Sequence, residues 1–476
     1  MRPGPNAANT TAPTSNTSPV STATWFPVGP AAQGPTTPVL ITNFAQYQKV
    51  FGGRGTFSAT LSDSIEQFFL EGGARAYVTR VVGAAAVTAS VVLKDSTAAA
   101  SATVSALGAG TYGNAFTLTV GGTLETAYTI TVKNATETLE VSPALSSLAE
   151  LAAWGKLSAY VTVAVTGTKS PNVGGPFALT GGTDETAGIT TAVYEAAFAK
   201  LLQEYGPGHL SAPGVSTSSV IEALYKYAAL QKRLAVADLA NAGKATLLTA
   251  AAVFRALTAV NRPGILLGDW QQAPPLPGTI APRAVPLSAY FAAKAAVIDS
   301  LGNPNLPVAG KQAILPSSLG KEQVFTESEL EELYLAGVNV CKVVNGQVRI
   351  YGCRTAVNPT TDPLYLQFNN VRLDMAITWK ALAIEEQYMF SQEDGQGNDS
   401  SAYGSALAGM LLPLYTIGAL FGKTPQEAFS VEAGPAVNTL ATEEEGNLNA
   451  TVSARRAKGA DQVNYNFNRV PITQEV

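Results

Sequence analysis

SSVIEALYKYAALQKRLAVADLANAGKATLLTAAAVFRALTAVNRPGILLGDW (218–270) is the stretch that decides the fold of this chain. Two apolar runs of strand length, RLAVADL (233–239) and ILLGDW (265–270), alternate with two segments of helical periodicity. A strand that is apolar on both faces belongs in a sheet covered on both sides. The helices between such strands read as crossovers of a mainly parallel α/β sheet. Ser219 and Glu222 stand at capping-box spacing at the head of the first helix. Just upstream, TAVYEAAFAKLLQEYG (191–206) puts Val193, Ala197, Leu201 and Tyr205 on one helical stripe, with Gly206 as its stop.

Working towards the N-terminus, VLITNFAQYQKVFG (39–52) reads as a strand entering a short helix. SDSIEQFFLEGG (62–73) reads as a helix capped by Ser62, with Ile65, Phe68 and Phe69 inward and Gly72–Gly73 as its end. ARAYVTRVVG (74–83) follows as a strand. Residues 84–182 change texture to Thr, Ser, Ala, Val and Gly with short alternating runs such as AFTLTVGG and AYTITVKN. They read as a small all-β insert with a helical interruption near 144–154. Residues 1–24 carry almost no large apolar side chain and cannot offset the entropy of ordering on their own.

Towards the C-terminus, the Pro-rich 271–286 reads as a surface loop, with Pro286 in the first turn of a helix over LSAYFAAKAAVIDSLG. FTESELEELYLAG (325–337) carries a second capping box, Thr326 with Glu329. In VNVCKVVNGQVRIYG (338–352), Asn345–Gly346 suits a two-residue type I′ turn. That register sets Lys342 against Arg349 and Cys341 against Ile350, so Cys341 and Cys353 are expected as free thiols. The like-charged pair requires an acidic neighbour. VRLDMAITWKALAIEEQYMF (371–390) is a long amphipathic helix with Leu373, Ile377, Ala381, Ile384 and Tyr388 on its stripe, and the tail from about 430 reads as strands with a free final segment. The fold class is α/β, with a mixed, mainly parallel core, an inserted small all-β domain and an α+β C-terminal domain.

The chemistry available is narrow. The chain has 476 residues, 46% of them apolar and 14% charged, with a net charge of −5, two cysteines and one histidine. No basic excess is present for a phosphate backbone, so nucleic acid is not an expected ligand. Cys/His metal sites cannot be assembled from this stock. No cofactor and no catalytic site are expected. His209 reads as a loop residue within GPGHL, and a hydrolase would need a serine beside it and Asp238. GALFGKT (418–424) is one residue short of a phosphate loop, with Pro425 following. Ser318 and Lys321 have Ser–Lys spacing without an oxyanion-hole pattern. GGRG (52–55) reads as a turn, and the acidic runs Glu327–Glu332 and Glu443–Glu445 as solvated faces. No signal peptide or membrane span is recognised, which points to a cytoplasmic site of manufacture and no membrane insertion.

Three stretches carry a family resemblance. PTTPVLITNFAQYQKVFGG with SIEQFFLEGGARAYVTRVVG (within 35–83) resembles the pattern P-x-L-I-T-S … F-G … F-F-x-N-G-G … Y-V-x-R-V, with Glu71 at the Asn position. GAGTYGNAFTLTV (108–120) resembles G-x-W-G-N, with Tyr112 for Trp. The region 325–382 resembles L-x-x-A-G-V-N … W-G-x-R-T … Y-x-x-V-R-R, with Tyr351 for Trp and Leu373 for the second Arg. The ordered set is similar to the contractile tail sheath proteins of phages, and to the sheaths of R-type pyocins and extracellular injection systems. The resemblance implies a subtilisin-like α/β core (25–83 and 183–325), an outward β domain (84–182) and a tube-proximal C-terminal domain (326–459). It implies linking arms at 1–24 and 460–476 that add strands to neighbouring subunits, with Val20, Val463, Tyr465, Phe467, Val470 and Ile472 as strand residues. Arg372 and Lys380 are its candidates for facing the tube. Implied partners are further copies in stacked rings of six, a tail tube protein, and baseplate and tail terminator proteins, in a virion tail assembled in the host cytoplasm. The competing class is a non-contractile virion or surface-layer protein.

Overall fold

The computed structural model describes residues 22–123, 126–257, 260–391 and 397–459. The chain opens with β1 (Thr24–Pro30), β2 (Val39–Ile41), α1 (Phe44–Phe51), α2 (Ala59–Leu70) and β3 (Arg75–Val81). Asn43 caps α1 by accepting from the Gln46 N–H at 2.8 Å. Ser62 is not the cap of α2. That helix begins behind Ser58, and Ser62 is buried within it. The polar SDS run is tolerated there because Asp63 is held by Arg54 at 2.9 Å and Arg283 at 2.7 Å, so its carboxylate does not compete for the helix backbone. Ile65 and Phe68 are buried and Phe69 half-buried, and Gly72 leaves the helix at φ +97°.

Next comes β4 (Ser90–Lys94), β5 (Ala100–Ala106), β6 (Thr117–Thr123), β7 (Ala127–Lys133), β8 (Thr138–Val141), α3 (Leu148–Leu157), β9 (Val161–Val165) and β10 (Gly174–Ala178). They form two antiparallel sheets, β10-β6-β7-β8 and β4-β5-β9. Alternate residues of β7 are covered, as a one-sided strand requires. Leu118, Ile130, Leu151, Trp154 and Val161 share a core of their own.

The α/β pattern resumes with α4 (Thr191–Ala199), β11 (His209–Ser211), α5 (Ser218–Leu230), β12 (Leu234–Asp238), α6 (Lys244–Arg255) and β13 (Gly264–Leu267). β12 and β13 are buried throughout, as their apolar runs demand. Two details differ from expectation. α4 stops at Ala199, because the Arg233 guanidinium takes the carbonyls of Leu201 and Leu202 at 2.6 Å each. α5 starts behind Thr217 without a side-chain cap, since the Ser219 hydroxyl bonds Thr191 instead. The Pro-rich stretch is not all loop either. β14 (Trp270–Ala273) and β15 (Arg283–Pro286) pair antiparallel, and Arg283 is anchored on Asp63 and Glu66.

The remainder comprises α7 (Leu287–Ser300), β16 (Gly320–Lys321), α8 (Glu327–Leu335), β17 (Val338–Asn339), β18 (Cys341–Val344), β19 (Gln347–Ile350), α9 (Phe368–Tyr388), α10 (Asn398–Thr416), β20 (Phe429–Glu432) and β21 (Thr451–Ala454). The seven-stranded core sheet runs β17-β13-β12-β11-β1-β3-β2, parallel except at β2. The chain is therefore a mixed α/β protein with a mainly parallel sheet and several antiparallel ones. The Thr326–Glu329 capping box is present. β18 and β19 pair in the expected register, Asn345 and Gly346 have φ +51° and +75°, and both cysteines are free and buried. The acidic neighbour required by Lys342 is Glu327, at 2.7 Å. On α9 only Leu373 of the expected stripe is fully buried. Burial is concentrated in Phe368–Ala376, and the distal half leans on α10, where Tyr388 meets Tyr403 at 5.2 Å.

Arg80 joins the insert to the sheet. It lies on β3, 1% exposed. Its Nε donates to the Ala31 carbonyl at 2.9 Å, and Nη1 donates to Gly34 and Ala109 at 3.1 and 2.5 Å. Nη2 faces Asp184 at 3.4 Å. Replacing Arg80 with Leu strands an acidic group and three carbonyls in a dry site. We expect a loss of about 3–5 kcal/mol in urea unfolding, with Arg54→Leu, at a more exposed pair, losing under about 1 kcal/mol.

Candidate functional site

The residues that catalysis would need are put to structural use. His209 is not in a loop. It sits in β11 between β1 and β12, 1% exposed, opposite Trp25 and Leu234. Burial, helped by the positive charge of Arg372, pushes its pKa down to about 3. Its ring is neutral, and Nε2 has no hydrogen-bond partner. Asp238, at the C-terminal end of β12, accepts from the Gly214 and Ser288 N–H groups at 3.0 and 2.9 Å and from the Ser288 hydroxyl. Burial raises its pKa to about 6. The carboxyl caps the N-terminus of α7, filling the position at the end of a parallel strand where α/β enzymes commonly bind substrate. Ser288 thus has an acid partner but no imidazole, and no nucleophile–base pair results.

Ser318 donates to Gln271 and Gly320, while Lys321 reaches the Cys341 carbonyl at 2.8 Å, so the two do not act on each other. After Gly418 the near-phosphate-loop runs into a four-residue helix with Thr424 as its cap, too short to focus a dipole on an anion. Glu327 and Glu332 are paired with Lys342 and Lys244. Among the described residues no group of three His, Cys, Asp or Glu could hold a metal, and no helix is long and apolar enough to cross a membrane.

The motif residues are joints between segments. Glu71 is buried, ion-paired to Lys294 at 2.6 Å, and accepts from the Ser317 N–H at 2.9 Å. A Cβ on Gly110 would lie 2.7 Å from the Arg80 guanidinium, so glycine is what lets Arg80 through. Asn114 and Gly182 exchange two hydrogen bonds at 2.8 and 2.9 Å, closing the insert's neck. Asn339 accepts from the Arg354 N–H at 2.8 Å, and a Cβ on Gly352 would press on it at 2.8 Å. Arg372 is fully buried, paired with Asp299 and donating to the Leu306 carbonyl at 2.8 Å. It is therefore not available to a partner surface, contrary to the expectation that it faces a tube. Its neighbour Asn369 binds Asn305, which in turn holds the carbonyls of Ala419 and Ala457 at 2.8 Å each. Lys380 is half-buried on the distal half of α9.

Exposed apolar side chains occur along the whole described chain, Leu157, Ile280 and Val324 among them, and open strand edges are found near its C-terminal end. β20 and β21 make a two-stranded sheet with no third strand among the described residues. Alternate residues of both strands are exposed. Two strands alone are marginally stable in water, and unpaired edges invite a further strand. Phe390 is fully exposed, Met389 and Phe421 more than half so. Val20, Val463, Tyr465, Phe467, Val470 and Ile472 lie outside the described residues. Thr24, the last residue of the expected N-terminal arm, belongs to β1 and pairs with Arg75.

No family model and no curated protein matches the chain. Solved structures match it over most of its length. The sheath tail protein of Listeria innocua is 16% identical over 87% of this chain and 89% of its own, with a TM-score of 0.63. That of Desulfitobacterium hafniense is 14% identical over 87% and 90%, TM-score 0.55. The helical sheath of the anti-feeding prophage in its contracted state is 16% identical over 98% and 99%, TM-score 0.57. At these identities the likeness is one of fold, shared with those sheath proteins.

The neutral His209 has a measurable consequence. Its folded pKa is below the unfolded value, so its contribution is present above about pH 6.5 and is lost as pH falls towards 3. His209→Leu should therefore lose about 2–3 kcal/mol less stability than the parent between pH 7 and 4.5, in paired urea titrations. Asp238 titrates with the opposite sign, but in both proteins alike.

Proposed function

We propose that this chain is the structural subunit of a contractile tail sheath, polymerising helically around a tail tube and contracting without nucleotide hydrolysis to drive the tube through a host envelope. The observation that carries the reading is the end-to-end likeness of fold, 98% of this chain against 99% of an assembled sheath subunit. The absence of a catalytic constellation among the described residues is consistent with it. On this reading 25–83 with 183–325 form a subtilisin-like core, 84–182 an outward domain, and 326–459 the domain nearest the tube. Lys380 remains a candidate for the tube surface. A related prophage baseplate is six-fold symmetrised, which supports rings of six here, with baseplate and terminator proteins at the ends and the virion tail as the location.

The mechanism is mechanical. The N-terminal arm with Val20 and the segment with Val463, Tyr465, Phe467, Val470 and Ile472 add strands to a neighbour's β20–β21 sheet. Main-chain hydrogen bonds supply affinity and alternate side chains supply fit. Such contacts are head-to-tail and generate open helices. Subunits move from a long, thin, kinetically trapped lattice to a short, wide one that buries more surface, with the arms as tethers. The buried joints keep each subunit a rigid body while the lattice rearranges.

Electron micrographs of tubes formed by the chain should show long-thin and short-wide forms. Tubes of one diameter only would instead favour a non-contractile virion or surface-layer protein. Deleting residues 1–21, which spares β1, should leave a folded subunit by circular dichroism that forms no tubes. Normal tubes from that deletion would refute the arm mechanism.

A further inference from the structure

A groove of about 970 Å³ opens between α8 and the β18–β19 hairpin. Leu330, Tyr334 and Leu335 line one wall, and Tyr351 and Arg354 the other. Leu335 and Tyr351 are each more than half exposed. The Arg354 guanidinium stacks on the Tyr334 ring at 3.9 Å, giving the groove a flat, partly aromatic wall with a cation in it. Its volume is at the upper end for a built binding cleft. Gly459, the last described residue, also lines it.

Seventeen residues follow Gly459, ADQVNYNFNRVPITQEV (460–476). Val463, Tyr465 and Phe467 alternate with Asn464, Asn466 and Asn468. In extended chain this puts three large apolar side chains on one side and amides on the other. At about 3.3 Å per residue, the first six or seven residues beyond Gly459 span about 20 Å, so Val463 and Tyr465 are within reach of a groove that the chain already touches. Asp461, two residues beyond Gly459 in sequence, carries a charge opposite to that of Arg354 in the wall. A free apolar edge strand of this kind is an aggregation hazard for an unassembled subunit.

We propose that in the free subunit residues 460–476 lie in this groove of their own chain, with Val463, Tyr465 and Phe467 against the α8 wall. The groove is a holding site that keeps the segment sheltered. Occupancy of the groove stands without the sheath reading. Only the later hand-over to a neighbouring subunit rests on it.

The test uses the full chain with the photo-cross-linking residue p-benzoyl-phenylalanine in place of Leu335, and in a control in place of Leu157, which is 84% exposed on the insert. A tethered segment sees a millimolar effective concentration, so cross-links into 460–476 should exceed the Leu157 control about tenfold and should not fall on dilution. In an equal mixture of isotopically light and heavy chains, the cross-linked peptides should pair light with light and heavy with heavy. Mixed pairs would show a segment from a second copy and overturn the proposal. So would a yield no higher than the control. Failure to form tubes would leave these outcomes unchanged, which separates this proposal from the sheath reading.

Discussion

A guanidinium withdrawn from water must be given acceptors, and this fold meets most of that demand with carbonyls from segments that are distant in sequence, Arg372 Nε being the one nitrogen of the three central arginines left without a partner. Arg80, Arg233 and Arg372 are among the largest fully buried side chains. Arg80 gathers Ala31, Gly34 and Ala109. Arg233 gathers Leu201, Leu202 and Gly206, and lies over the Phe26 ring at 4.1 Å. Arg372 ties α9 to α7 and to the loop at Leu306. Burying such a charge is expensive unless every partner is in place. Each arginine therefore favours one arrangement of its joint, because any other strips acceptors from a buried cation.

On the proposed sheath reading, joints of this kind suit a subunit that must transmit force. If a lattice rearranges while its subunits stay rigid, strain has to be taken up between subunits and not within them. The buried arginines, with Glu71, Asn114, Asn339 and Asn369, stiffen the connections between core, insert and C-terminal region. The two-stranded sheet and the exposed apolar side chains near α9 and α10 are, by contrast, places left open among the described residues. On the same reading, a stiff interior and open strand edges suit assembly.

Much of the fold was legible because local signals agreed. The apolar runs of β12 and β13, the Asn345–Gly346 turn, the Thr326–Glu329 box and the low-complexity texture of the insert each report a short-range preference that tertiary packing did not oppose. Misreadings arose where a distant side chain intervened. Asp63 is drawn off by two arginines, which lets α2 start before Ser62. Arg233 ends α4 before Leu201. His209 lies beside two glycines and a proline that read as loop, yet the β11 strand is only three residues long and draws its partners from β1 and β12. The joint at Arg80 had one visible trace, a charge in the mostly apolar, strand-forming YVTRVV. Its partners at 31, 34, 109 and 184 could not be read from spacing.

The neck of the insert has a further consequence. Its two ends run side by side, with Val87 paired to Thr183 and Gly83 donating to the Asp184 carbonyl. A Cβ on Gly83 would sit 1.7 Å from the Glu185 carbonyl, so the two passages of chain are in contact. Ends this close make the whole β unit an interchangeable cassette, because the core sheet meets the same two anchor points whatever lies between them. The β unit between those anchor points can therefore be enlarged, shrunk or replaced without re-cutting the sheet beneath it.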